Sequence, residues 1–328
     1  MRAPLVLGLG LAGALAGCGF GFADDTSGGH DNLPAAGAGP FRRPAFDLDT
    51  PLDEPWLATD PGFDFDEPAA LPRAGGGIRY WLGVEPADLP VGDTQIWAGD
   101  LAGLGAAPSI LQPALIADQA WEQGRVSAPT LITDGDHLTM FYEGGLADPA
   151  IGRADSLDDG RTWQKHGAPV LTAARSPGVA WDGAHWLLAV ERPAAAGLWL
   201  ARSDDGVAFT LDATPVFTAR TTVTGAFDSV AIREPSLTWS QPSTGRGLWA
   251  MWFAGTDMPM PTDDNPWRFA IGYAASFDGV SWQRLAGTRA ILGDPAGAPT
   301  VVLGAGGPDF LLYGARDSRR RAIGIATH

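Results

Sequence analysis

Residues 234–255 read EPSLTWSQPSTGRGLWAMWFAG. A residue–proline pair opens a hydrophobic run, a turn rich in Gly and Ser follows, and an aromatic run closes the unit. Two apolar runs of this length around such a turn read as an antiparallel strand pair. The unit returns four more times, as EPAALPRAGGGIRYWLGV from Glu67, APTLITDGDHLTMFYEG from Ala128, SPGVAWDGAHWLLAVE from Ser176 and APTVVLGAGGPDFLLYGA from Ala298. Self-similarity at a period of roughly 50–60 residues marks blades or solenoid units. Two strands and a turn, with room for more strands before the next unit, suit a blade of four antiparallel strands. The expectation is therefore an all-β chain folded as a five-bladed β-propeller of four-stranded antiparallel blades.

A second repeat lies inside the first. Ser156–Trp163 (SLDDGRTW), Ser203–Phe209 (SDDGVAF) and Ser276–Trp282 (SFDGVSW) are versions of one hairpin. Asp accepts hydrogen bonds from turn amides, and Gly supplies the positive φ of a tight turn. Each copy follows a strand of small residues, AIGRADS, LWLARS or AIGYAAS. This places the hairpins between the third and fourth strands of blades two, three and four. Trp163, Phe209 and Trp282 are then expected to fill the wedge between neighbouring sheets. The hairpins read as structural pins rather than ligand loops.

The N-terminus carries a different message. Arg2 precedes LVLGLGLAGALAG, which ends at Cys18, the single cysteine. A charged start and an apolar core of this length form a secretory signal, too short for a stable membrane span. Leu15-Ala16-Gly17-Cys18 resembles the bacterial lipobox, whose cysteine becomes the lipidated first residue. The alternative is an ordinary signal peptide with an incidental cysteine. Residues 1–17 are thus expected as a lipoprotein signal, 18–40 as a flexible tether poor in large apolar side chains, and 41–328 as the propeller. Several acyl chains on one cysteine give durable anchoring to a lipid bilayer. Gly19 after the cysteine, in the lipoproteins this resembles, favours the outer membrane of the envelope.

No second cysteine exists for a disulfide, so the fold rests on packing, for which roughly 260–270 residues suffice. The formal charge of −16 argues against a nucleic-acid partner, whose phosphates would be repelled. Lys165 is the only lysine. The last unit offers strands near Ala298–Leu303, Asp309–Tyr313 and Ala322–Thr327, one short of a full blade. A bare sheet edge invites association, so Phe41–Asp49 is the candidate closing strand, although Pro44 disfavours a central position.

The units resemble those of the five-bladed propeller glycoside hydrolases, families 43, 32, 62, 68 and 130. The likeness runs from about Asp64 to His328. It rests on Trp121-Glu122 with Val126, Ala128-Pro129 and Met140-Phe141-Tyr142. These are echoed by Phe227-Asp228 with Ile232, Glu234-Pro235 and Met251-Trp252-Phe253. In such enzymes acids near the start of innermost strands point into a central funnel, and the residue before Pro is often one of them. Position by position, the resemblance offers Glu67, then Ala128 followed by Thr130 where family 43 commonly has Asp. Next come Arg175-Ser176-Pro177, like the family 32 Arg-Asp-Pro with Ser for the acid, then Arg233-Glu234-Pro235, and finally Ala298. Two acids stand where an active relative typically shows three.

Glycoside hydrolysis usually needs two carboxyls, roughly 5–5.5 Å apart for retention or about 6.5–9.5 Å for inversion. Glu67 and Glu234 are the catalytic candidates, and their non-adjacent blades suit inversion. Arg233, Ser176, Thr130, Asp257 and Glu143 are candidate substrate contacts, with Trp239 and Trp267 as stacking platforms. Against this, Glu143, Glu191 and Asp257 also read as solvated loop acids, and Glu234 as a funnel acid paired with arginine. No zinc motif, phosphate-binding glycine loop or nucleophile elbow is present, so neither a metal nor a cofactor is expected. Three functions remain. The first is an exported glycosidase acting on a carbohydrate, and the second a non-catalytic module that binds a glycan or another envelope component. The third is a sialidase-like protein, suggested by Ser156–Trp163 but requiring six blades.

Overall fold

A computed structural model of the chain describes residues 63–327, apart from 74–75, 87–89, 91, 103–108, 110, 242–245, 259–268, 285–286, 294–295, 304–309 and 317–320. Cys18, the tether, the candidate strand Phe41–Asp49 and Trp267 lie outside the described residues.

Five antiparallel sheets follow one another along the chain. Blade 1 contains β1 (Phe63–Pro72), β2 (Ile78–Pro86), β3 (Gln95–Leu101) and β4 (Gln112–Leu115). Blade 2 contains β5 (Val126–Asp134), β6 (His137–Gly144), β7 (Ala150–Ser156) and β8 (Gln164–Lys165), with β9 (Leu171–Thr172) also paired to β7. Blade 3 contains β10 (Arg175–Trp181), β11 (Trp186–Arg192), β12 (Ala195–Ser203) and β13 (Thr210–Leu211). Blade 4 contains β14 (Ala231–Ser240), β15 (Leu248–Thr256), β16 (Ala270–Ser276) and β17 (Gln283–Arg284). Blade 5 shows three strands among the described residues, β18 (Gly297–Val302), β19 (Phe310–Arg316) and β20 (Arg321–Thr327). The expected five-bladed propeller is what the chain forms.

The seams between blades hold the core. Five apolar clusters of buried side chains occur, one in each seam, including Leu82 and Tyr80 of blade 1 against Leu312 and Ile325 of blade 5. That last cluster packs blade 5 against blade 1. The second strands are buried on both faces, which is why LWAMWFAGT and HLTMFYEG are continuously apolar rather than alternating.

Two buried carboxylates, each paired with cations, tie the segments that lead into blades 2 and 4. Glu122, fully buried in the short turn Ala120–Glu122, accepts from Lys165 Nζ at 2.7 Å, from the Tyr142 hydroxyl at 2.8 Å and from the Asp118 and Gln119 amides. Asp228, equally buried, accepts from Arg220 and Arg284, each at 2.6 Å. Lys165 and Arg284 occupy matching places on the fourth strands. The lone lysine is thus half of a buried pair.

The three Asp hairpins sit between third and fourth strands, as expected. In each, Ser donates to Asp at 2.8–2.9 Å and the Asp collects the turn amides. The Trp163 ring meets Trp81 of blade 1 edge-on, and Phe209 meets Phe141 of blade 2 in the same way. An arginine of the preceding blade donates into each hairpin: Arg79 to the Asp159 carbonyl, Arg153 to that of Asp205, and Arg202 to that of Gly279. These are contacts between neighbouring blades.

Candidate functional site at the propeller axis

The five residue–proline pairs converge on the axis. Glu67, Ala128, Ser176, Glu234 and Ala298, with the prolines that follow them, line one cavity together with Thr130, Ser236 and Thr300. Each pair sits at a bulge in its innermost strand, where the register with the second strand slips. At each bulge the residue before Pro takes a positive φ, between 40° and 53°. That conformation is uncommon for a residue other than glycine, and it recurs here in all five blades.

The bulge sets a local problem. It turns the residue's N–H out of its own ladder, and a buried amide without a partner costs about 1–3 kcal/mol. A carboxylate from the preceding blade receives it in four seams. Glu67 Oε2 accepts the Ala128 N–H at 2.8 Å and Glu143 Oε2 that of Ser176 at 3.0 Å. Glu191 Oε1 accepts the Glu234 N–H at 2.9 Å, and Glu234 Oε2 that of Ala298 at 2.7 Å.

The carboxylate comes from either of two positions, and they trade off. In blades 1 and 4 it is the residue before Pro, Glu67 or Glu234. The second-strand position opposite the bulge is then small, Gly83 (opposite Asp66) or Ala254 (opposite Arg233). In blades 2 and 3 the residue before Pro is Ala128 or Ser176. There the second-strand position carries the acid, Glu143 opposite Ser127 or Glu191 opposite Arg175.

Glu143 and Glu191 are therefore clasps between blades, not solvated loop acids. Their place in the register is the signal that would have revealed them. Glu143 is buried. Burial pushes its carboxyl above the usual carboxylate range, and Glu191 adds to the rise. Arg125 at 3.8 Å, the Ser176 N–H and Arg175 pull the other way. Glu191 lies beside Arg233 at 3.5 Å.

The remaining candidates scatter. Thr130 lines the cavity, and its hydroxyl oxygen accepts the Val179 N–H at 3.4 Å. Ser176 lines it as well, while Arg233 faces Glu191. Asp257 is exposed just beyond the end of β15. Trp239 packs on Trp249 with ring centres 4.7 Å apart. It stands five residues along β14 from Glu234, so strand rise puts it roughly 16 Å away, toward the opposite end of the blade. No group of three or more metal-ligating side chains occurs among the described residues.

The cavity is small. Its volume is about 30 Å³, room for a water molecule or two. Pockets that take small-molecule ligands span roughly 300–1,000 Å³. What the axis can do chemically is hold two carboxylates, each already accepting a main-chain amide, around a small space.

The sequence matches no family model and no curated protein. Its structure is similar to those of glycoside hydrolases. A glycosyl hydrolase from Bacteroides ovatus aligns over 91% of this chain and 96% of its own, at 17% identity and a TM-score of 0.66. A GH130-family structure, described with glycoside hydrolases that target β-1,2-mannosidic linkages in Candida mannan, aligns over 90% and 95% at 16% identity and a TM-score of 0.66. A thermostable family-43 glycoside hydrolase aligns over 82% and 92% at 16% identity and a TM-score of 0.56. The likeness is one of fold. The shared fold is the five-bladed propeller.

Proposed function

We propose that this chain is a carbohydrate-binding propeller of the cell envelope, built on a glycosidase-type scaffold whose axial carboxylates clasp blades instead of cleaving glycosidic bonds. The observation that carries the reading is the pairing of Glu67 with Ala128 and of Glu234 with Ala298. The same contact is made elsewhere by Glu143 and Glu191, which do not line the axial cavity. A role that can be filled from outside the cavity is a role in the scaffold. The small axial volume agrees, because it leaves little room for a glycosidic bond between the two carboxyls.

Carbohydrate as the partner is supported by the glycoside hydrolases that share the fold. Fold alone does not grant an activity. Envelope location rests on the lipobox-like Leu15–Cys18, with Cys18 as the lipidated residue and the outer membrane as destination.

One observation favours hydrolysis as the second reading: Glu67 and Glu234 line the same cavity. The two readings part on a simple experiment. The purified protein is titrated with mannobiose, xylobiose and sucrose, and each mixture is assayed for released monosaccharide. Binding without release supports the proposal, and release that Glu234→Gln abolishes supports the second reading.

A further inference from the structure

We infer that the saccharide site lies not at the axis but in the seam between blades 1 and 2, at the opposite end of the ring. This inference rests on the carbohydrate-binding reading above. A cavity of about 470 Å³ opens there, within the roughly 300–1,000 Å³ of small-ligand sites. Its walls come from the C-terminal end of β1, the turn between β5 and β6, and the Asp hairpin of blade 2. They are at the far end of the innermost strands from the residue–proline pairs.

The walls carry fixed, planar hydrogen-bonding groups. Arg79 is gripped by both oxygens of Asp100 at 2.9 Å and by the Asp159 carboxylate at 2.9 Å. Arg73 pairs with Asp100 at 2.7 Å and faces Asp159 at 3.6 Å. Asp136 contributes from the turn. Arg73 and Arg79 thus line the same space as the carboxylates of Asp136, Asp158 and Asp159, and the charges offset to within one. A neutral polyhydroxy ligand suits such walls, since each hydroxyl can accept from one group and donate to the other. A strongly charged ligand would meet one sign of charge too many.

Trp81 also lines this cavity, and at 1% exposed its ring forms part of the buried wall. At the rim Leu157, 82% exposed, offers an apolar lip to the C–H face of a sugar ring.

The test uses calorimetric titration with mannobiose, xylobiose and sucrose on the wild type and three variants. Arg73→Ala removes a partly exposed wall group, Thr133→Trp fills the seam cavity, and Ser236→Leu fills the axis. The two seam variants are expected to weaken binding about tenfold or more, and Ser236→Leu to stay within about twofold. A thermal melt on each variant confirms folding, and Arg73→Ala keeps the test alive if Thr133→Trp unfolds. Unchanged affinity in both seam variants, with loss in Ser236→Leu, overturns the seam assignment and leaves the carbohydrate reading standing. A wild type that binds none of the three sugars overturns both.

Discussion

Glu234 on blade 4 accepts the backbone N–H of Ala298 on blade 5 at 2.7 Å, and Ala298 holds a φ of 40°. A strained bulge in one blade and a carboxylate in the previous one are thus parts of a single device, repeated around the axis.

Removing the acceptor should loosen the ring. Glu234→Ala is expected to cost about 1–3 kcal/mol by leaving the Ala298 amide unpaired. Glu234→Gln, whose amide oxygen still accepts, should cost less. Ala254 occupies the register position that carries Glu143 and Glu191 in their blades. Adding Ala254→Glu to Glu234→Ala should therefore recover part of the loss. Urea denaturation midpoints check this, and equal midpoints for Glu234→Ala and the wild type would contradict the clasp.

The buried pairs make an asymmetric prediction. Lys165→Met leaves Glu122 without a cation inside the protein, a change expected to cost about 3–5 kcal/mol. Arg284→Met should cost less, because Arg220 stays on Asp228 at 2.6 Å. The two denaturation curves compared at one temperature test the order.

Acid should act in two stages. The Thr162 hydroxyl and amide hold Asp158 down to about 2, and the Ala208 and Val207 amides do the same for Asp205. Asp278, against its own desolvation, is held to about 2 by the Ser281 and Val280 amides. Depressed carboxyls contribute stability that is complete above their unfolded value of about 4 and is lost as pH falls toward 2. Glu143 has the opposite sign. Its raised pKa means that its ionised form costs stability, a cost relieved as pH falls toward the ordinary Glu value of about 4.3. The melting temperature should thus rise on the acid side of neutrality and fall below about pH 4. Glu143→Gln should remove the rise and keep the fall. Superimposable pH profiles for variant and wild type would refute the assignment.

The anchor is tested by fractionation. Cys18→Ser is expected to move the protein out of the membrane fraction, and mass spectrometry of the mature wild type should find an acylated Cys18. A mature protein that begins elsewhere, without lipid, would refute lipidation.

Much of this was legible in the residues. The residue–proline pairs mark every innermost strand, because proline's missing N–H is tolerated where a bulge has already broken the ladder. Ser-x-Asp and Gly marked the hairpins through turn chemistry that is wholly local. The clasp was not legible, because it joins residues 33 to 64 positions apart across a seam. Glu67 and Glu234 stand before Pro, where the resemblance to the propeller glycoside hydrolases implies acids. Glu143, also a candidate substrate contact, and Glu191 read in sequence as solvated loop acids, because strand ends are usually wet. Nothing in a strand's own sequence says which carboxylate its neighbour's bulge requires. Only the cross-strand register makes Glu143, Glu191, Gly83 and Ala254 one position.

The central claim is that the axial acids hold the ring and do not turn over a glycosidic bond. Its most direct test is product release from mannobiose, xylobiose and sucrose by the wild type beside Glu67→Gln and Glu234→Gln, followed by chromatography. The account predicts no release by any of the three proteins and near-wild-type affinity in both variants for the sugar that binds. Monosaccharide released by the wild type and abolished in either variant would contradict it.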